Sequence, residues 1–223
     1  MDKLSVINNY NLNKKQTDLI NKFLKKLIKS NETHNLVGMS TIENAWDRHV
    51  NDSLQLSEFI PKKKSSIVDL GTGAGFPGVI LYIFGYTNIL LIDSKIKKIN
   101  FIRDFADDNN IFIKTICTRV EKLKSQKFDY ITCRAFAPLV KLLNYSLVFS
   151  KKNTSLLFLK GRNVKKEIID AKLYFDFNYK IYESKSEGDG FILSINRFRK
   201  LWQKSYLLLI KKGVLVKQPQ QLI

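Results

Sequence analysis

The segment Ile67-Val68-Asp69-Leu70-Gly71-Thr72-Gly73-Ala74-Gly75-Phe76-Pro77-Gly78 carries a short apolar run into a stretch of alternating glycines. Glycine tolerates positive φ and lets a ligand approach the backbone without meeting a Cβ. A strand ending at Leu70, a glycine loop and a helix opening near Pro77 therefore predict a cofactor crevice at the carboxyl edge of a parallel sheet. Asp93 closes a second apolar run, Leu90-Leu91-Ile92-Asp93, so its carboxylate is expected beside that loop, where it can accept hydrogen bonds from ribose hydroxyls. Ser94 is expected to cap the helix that follows. Arg119-Val120-Glu121 comes after a third apolar run and is placed to frame an adenine ring.

Two nucleotide cofactors compete for such a crevice. Gly73, Gly75 and Gly78 spell a literal G-x-G-x-x-G with Asp93 downstream, the pattern of a dinucleotide fold, so an NAD-dependent oxidoreductase is one alternative. Asp69 favours S-adenosyl-L-methionine, because a carboxylate there would receive the cationic end of an amino acid moiety and would repel a pyrophosphate. A long helical segment ahead of the first strand points the same way.

The elements that must position these residues follow from periodicity. From Asn13 to Ser30, Ile20, Phe23, Leu24, Leu27 and Ile28 recur at helical spacing. A second helix is expected over Ile42–Phe59, with His49, Val50, Ser53 and Leu54 on its inner side. Arg48 and His49 are about 100° apart on such a helix, so Arg48 is assigned to the substrate and His49 to the core as a structural residue. Pro61 and Lys62-Lys63-Lys64 mark a boundary, the lysines being read as a solvated linker. Seven strands are then expected, at Ser66–Leu70, Asn88–Ile92, Ile111–Ile116, Tyr130–Thr132, Ser155–Leu159, Tyr179–Glu183 and Phe191–Phe198. Their alternation with helices predicts a mainly parallel sheet, and Gly188-Asp189-Gly190 predicts an antiparallel hairpin at its edge. The division expected is residues 1–60 as an N-terminal helical extension, 61–200 as the catalytic domain and 201–223 as a tail with an added helix.

The chain has 223 residues, with 38 lysines and arginines against 20 acids and a formal net charge of +18. An excess of this size attracts polyanions and points to a nucleic-acid partner; compositional bias is the competing explanation of the lysines. Cys117 and Cys133 cannot make a disulfide framework or a four-ligand metal site and are expected to be buried and inert, and no metal is expected. No apolar run reaches the roughly 20 residues of a membrane span. Met1-Asp2-Lys3-Leu4-Ser5 lacks a signal-peptide core, so a cytoplasmic protein is expected.

The pieces Asn35-Leu36-Val37, Asp47-Arg48-His49-Val50-Asn51-Asp52-Ser53-Leu54, Gly71–Gly78, Asp93-Ser94, Arg119-Val120-Glu121, Arg134-Ala135-Phe136-Ala137-Pro138-Leu139 and Leu159-Lys160-Gly161-Arg162 occur in this order. Together they resemble the bacterial small-subunit ribosomal RNA methyltransferase G family, also called glucose-inhibited division protein B. The resemblance runs from about Asn35 to Arg162; beyond Arg162 it is loose. It implies a Rossmann-like α/β class I methyltransferase with an N-terminal helical extension. It implies S-adenosyl-L-methionine as methyl donor and N7 of a guanine in 16S ribosomal RNA as acceptor, met in naked RNA or in the small ribosomal subunit particle, with no obligate protein partner. By the same resemblance Gly71, Gly73, Phe76, Val120, Glu121 and Arg134 contact the cofactor. A noncatalytic RNA-binding protein on this fold is a further alternative, opposed by the joint presence of Asp69, Asp93 and Arg134.

Methyl transfer from a sulfonium mainly requires that donor and acceptor be close and aligned. The chain has neither the Pro-Cys pair used for pyrimidine C5 nor the Asn/Asp-Pro-Pro-aromatic motif used for exocyclic amines. Guanine N7 is an unprotonated acceptor that needs no general base. Arg134 is placed to orient the reacting groups, an aromatic ring such as Phe136 to stack on the base, and Lys160 and Arg162 to hold base or phosphate. Core packing for Phe136 and plain surface charge for Lys160 and Arg162 are the competing explanations.

Overall fold

The structure, a computed structural model, describes residues 1–201. The helix expected in the 201–223 tail lies outside the described residues.

The chain opens with α1 (Lys3–Asn9) and α2 (Lys14–His34). Asn13 and Gln16 close a capping box on α2, each side chain satisfying a backbone N–H that the first turn leaves without a partner. Ile20, Phe23, Leu24 and Leu27 are buried as the periodicity requires, whereas Ile28 is exposed. The single helix expected over Ile42–Phe59 is instead a broken path. It runs through a 3-10 turn at Met39–Thr41, a π-helical turn at Trp46–Asn51, α3 (Asp52–Leu54) and a 3-10 turn at Gln55–Phe59. The reason is a second buried side. Val50 and Leu54 face the core, while Asp47, Asn51 and Gln55, also buried, bond to the backbone of residues 185–187.

Seven strands follow, β1 (Ile67–Leu70), β2 (Ile89–Asp93), β3 (Lys114–Cys117), β4 (Phe128–Arg134), β5 (Ser150–Lys160), β6 (Phe175–Glu183) and β7 (Phe191–Lys200). They form one sheet in the order β3-β2-β1-β4-β5-β7-β6. The first five are mutually parallel, and β7 runs antiparallel to both β5 and β6. The expected hairpin is present, with its second strand inserted between β5 and β6.

Between them lie α4 (Gly78–Ile83), α5 (Ile96–Asp108), α6 (Leu139–Phe149) and α7 (Val164–Lys172). Successive strand residues point to opposite faces. Ile67, Leu91 and Leu159 meet α2, α4 and α5 on one face, while Val68, Leu70, Ile92 and Phe158 meet α6 and α7 on the other. Helices on both faces explain why β1 and β2 are buried along their whole length. The strand order reverses beside β1, where β2 lies on one side and β4 on the other, so the crevice predicted from the glycine loop falls at a topological switch point.

Three local expectations are corrected. Ser94 does not cap α5; the cap position is Lys95, and its N–H donates to Asp93 Oδ1 at 2.8 Å. Cys117 is half-buried, although Cys133 is buried. Lys63 is not a freely solvated linker residue, because its ammonium lies 3.3 Å from the centre of the Phe84 ring and donates to the Phe84 carbonyl. Among the described residues no helix is long and apolar enough to cross a membrane.

Candidate functional site

Gly71, Gly73 and Gly75 all have positive φ, at 67°, 61° and 102°. Gly71 has a second reason to lack a side chain, since a Cβ there would lie 2.3 Å from the Phe136 ring. Asp93 ends β2 as expected and braces the loop, its Oδ2 accepting from Gly73 N–H at 2.9 Å. Gly71, Asp93, Val120, Glu121, Phe136 and Tyr145 line a cavity of about 210 Å³. Tyr145 donates a short hydrogen bond to Glu121, which holds the glutamate below its ordinary carboxylate range.

On the other side of Phe136 opens a cleft of about 1200 Å³, bordered by Thr41, Arg48, His49, Arg134 and Arg162 among others. Phe136 lines both spaces and lies across the glycine loop at Gly71. Ala135, with φ 48°, turns the chain sharply after β4 to put it there.

Arg134 ends β4 and is held by three acceptors. One terminal nitrogen donates to the Arg48 carbonyl at 3.0 Å and to Asp52 Oδ2 at 3.2 Å, the other to His49 Nδ1 at 2.7 Å. Its guanidinium also lies 4.9 Å from the centre of the Phe76 ring. His49 stacks on that ring at 4.6 Å, and Phe23 meets it edge-on. Phe76, expected against the cofactor, is buried in this stack and exposes only 3% of its surface. Burial, followed by the charges of Arg134 and Arg48, pushes the His49 imidazole down to about 3.

Asp69 departs from expectation. Its carboxylate is fully buried, with Oδ2 accepting from Gly78 N–H at 3.1 Å and Oδ1 from Thr132 at 2.9 Å. Burial raises its proton affinity, opposed by the Thr72 and Thr132 hydroxyls, the Gly78 N–H and the Arg134 charge. It clamps the end of the glycine loop to β4 and is not open to the end of a ligand. Lys160 is engaged as well. Its ammonium is taken by Glu167 at 2.6 Å and by the Ala137 carbonyl at 3.1 Å. Glu167 accepts Leu139 N–H at 2.7 Å too, so Lys160 braces the 135–138 loop while also bordering the cleft. Arg48 borders the cleft and donates to the Glu187 carbonyl. Arg162 is exposed on the rim with no ionic partner among the described residues.

Sequence reasoning missed Asp52, Thr41, Tyr145 and the loop between β6 and β7. Ser186, Glu187 and Gly188 of that loop border the cleft. The available signal was Asp47, Asn51 and Gln55, spaced at helical intervals opposite an apolar side, since polar groups on a second buried side need partners.

The profile of the rRNA small subunit methyltransferase G family matches residues 16–187. Proteins named ribosomal RNA small subunit methyltransferase G are similar over most of the chain. That of Orientia tsutsugamushi (strain Ikeda) is 39% identical over 187 residues, 84% of this chain and 93% of that protein. That of Rickettsia prowazekii (strain Madrid E) is 39% identical over 191 residues, 84% and 99% respectively. Among solved structures, a ribosomal protein L11 methylase from Lactobacillus delbrueckii subsp. bulgaricus has a TM-score of 0.53 at 18% identity, covering 66% of this chain and 76% of that one. A SAM-dependent methyltransferase from Aquifex aeolicus has a TM-score of 0.52 at 16% identity, covering 65% and 88%. The structural likeness is one of fold, the class I methyltransferase fold, while the sequence likeness reaches from α2 to the β6–β7 loop. The chain belongs to the rRNA small subunit methyltransferase G family.

Proposed function

We propose that this protein transfers a methyl group from S-adenosyl-L-methionine to N7 of a guanine in 16S ribosomal RNA, meeting that RNA alone or in the small ribosomal subunit particle. As a member of its family it is an S-adenosylmethionine-dependent rRNA methyltransferase; the acceptor atom and the form of the RNA are the finer parts of the proposal. The observation that carries it is the pair of spaces meeting at Phe136. The smaller is bounded by Asp93, Val120 and Glu121 and suits a nucleoside; the larger is edged by Arg48, Arg134 and Arg162 and suits an RNA base with its phosphates.

Bound S-adenosyl-L-methionine supplies an electrophilic methyl group on a sulfonium. In this reading Asp93 takes the ribose hydroxyls with its remaining lone pairs, Gly71 and Gly73 present backbone to the cofactor, and Val120 and Glu121 flank the adenine. Phe76 acts from beneath, through the stack that seats Arg134. Arg134 orients the guanine or the donor, Phe136 stacks on the base, and Arg48 and Arg162 take phosphates. Residues 1–60 form the extension that walls one side of the cleft, and residues 61–200 the methyltransferase domain.

N7 chemistry suits the groups present. Burial pushes the Cys133 thiol well above its ordinary range, which does not suit a nucleophile for pyrimidine C5. The ring nitrogens of His49 are both engaged, and an unprotonated acceptor needs no base. The test is mass-spectrometric mapping of modified nucleosides in 16S rRNA from cells with and without the gene, alongside methylation of small subunits by the purified protein. Loss of one 7-methylguanosine, restored by the protein, is the expected result. An unchanged 7-methylguanosine content with loss of another methylated nucleoside would overturn the assignment.

A further inference from the structure

We infer that His49 is the positioning residue for Arg134, neutral, with its proton on Nε2, and presenting the Nδ1 lone pair to the guanidinium. This rests on the reading of Arg134 as a residue of the reaction site.

A guanidinium has only donors, so at 2.7 Å from an Arg134 nitrogen His49 Nδ1 must accept. The ring proton then sits on Nε2, 2.8 Å from Thr41 Oγ1. Thr41 completes the chain, since its hydroxyl donates to the Gly38 carbonyl at 2.7 Å and keeps its lone pairs for the histidine. Stacking on Phe76 fixes the ring plane. The π-helical turn brings both the His49 side chain and the Arg48 carbonyl to the same guanidinium, a local widening of the helix that recurs at functional sites. Asp52 adds the only carboxylate contact to Arg134 among the described residues.

Each acceptor alone would leave the planar fork free to rotate. Carbonyl, carboxylate and imidazole together fix its plane, and the imidazole, neutral like the carbonyl, adds direction without a second negative charge. His49 is only 4% exposed, and both ring nitrogens are engaged. It therefore acts through Arg134 and does not take a proton from substrate.

The chain has only two histidines, His34 and His49, so nitrogen-15 labelling of histidine reads the tautomer directly. Protonated Nε2 and bare Nδ1 at His49 are expected at pH 7, and Nε2 should stay protonated in Thr41→Val, because the guanidinium still requires Nδ1 to accept. A protonated Nδ1 in the unmodified protein would overturn the inference. Single-turnover methylation of small subunits at saturating cofactor supplies the second arm. His49→Phe, which keeps the stack, and Thr41→Val should each slow the reaction at least fivefold, with cofactor Kd within twofold of wild type. In an Arg134→Lys background neither should slow it further, because residues acting through one group are non-additive. Wild-type rates in both single variants, or effects that multiply in the double variants, would overturn the inference. Thr41→Val carries the test alone if His49→Phe does not fold. A wild-type rate in Arg134→Lys by itself would instead remove the reading of Arg134 on which the inference rests.

Discussion

The ring of Phe136 lies on the backbone of Gly71, so close that a Cβ there would meet its Cδ2 at 2.3 Å. Gly71→Ala is expected to lose stability twice over, through left-handed backbone strain of about 1–2 kcal/mol and through displacement of the ring. In a Phe136→Ala background the second loss should shrink, because the ring is gone and only the residue 136 Cβ, 2.9 Å from the added Cβ, still crowds it. Denaturant unfolding of the four proteins checks this; equal losses in both backgrounds would contradict it.

Asp93 holds Gly73 N–H and Lys95 N–H and faces the smaller cavity. Asp93→Ala should weaken binding of S-adenosyl-L-methionine by about 1.5–3 kcal/mol, the scale of hydrogen bonds lost from a charged group. Calorimetry measures it, and an unchanged Kd in a folded variant would remove Asp93 from the ribose.

His49 makes stability depend on pH. Its imidazole is held down to about 3, by burial first and by Arg134 and Arg48 second, from an ordinary value of 6.5. Between those values the unfolded chain binds a proton that the folded chain refuses. The contribution is therefore full above about 6.5 and is lost as pH falls toward about 3, by up to about 1.4 kcal/mol per pH unit inside that window. Urea unfolding at pH 7 and pH 5 should show a smaller loss in His49→Phe than in wild type. Identical losses would mean that the ring is protonated in the folded state.

The charge of +18 predicts a steep salt response. The RNA association constant should fall with a log–log slope of several units as salt rises, whereas cofactor affinity changes little. Filter binding over a salt series measures both, and a flat RNA response would return the lysines to compositional bias.

The sheet and the glycine crevice were legible because backbone demands residue types there. Alternating glycines supply positive φ at Gly71, Gly73 and Gly75, and an acid at the end of an apolar run identifies Asp93. Strand bounds were set too short at β5 because Lys151, Lys152 and Asn153 are exposed and show no apolar signal. The partners of Asp69 and Lys160 were not legible for another reason. A charge near a crevice can face the ligand or be satisfied inside, and the partners that decide it, Thr132 and Glu167, lie far away in sequence. His49 was read as a core residue from its face of the helix, which its burial fits; its bond to Arg134 spans 85 positions and leaves no local trace.

The bonds from the π-helical segment to the β6–β7 loop also concern timing. Asp47 accepts Glu187 N–H across 140 positions, and Gln55 accepts Lys185 N–H across 130. Contacts this distant bear a large loop-closure entropy before any return, so they form late. As the chain leaves the ribosome, Arg48 emerges early but has no Glu187 carbonyl to hold it. The side of the larger cleft bordered by Ser186, Glu187 and Gly188 is thus among the last parts of the molecule to close, after the glycine crevice, whose strands lie earlier in the chain.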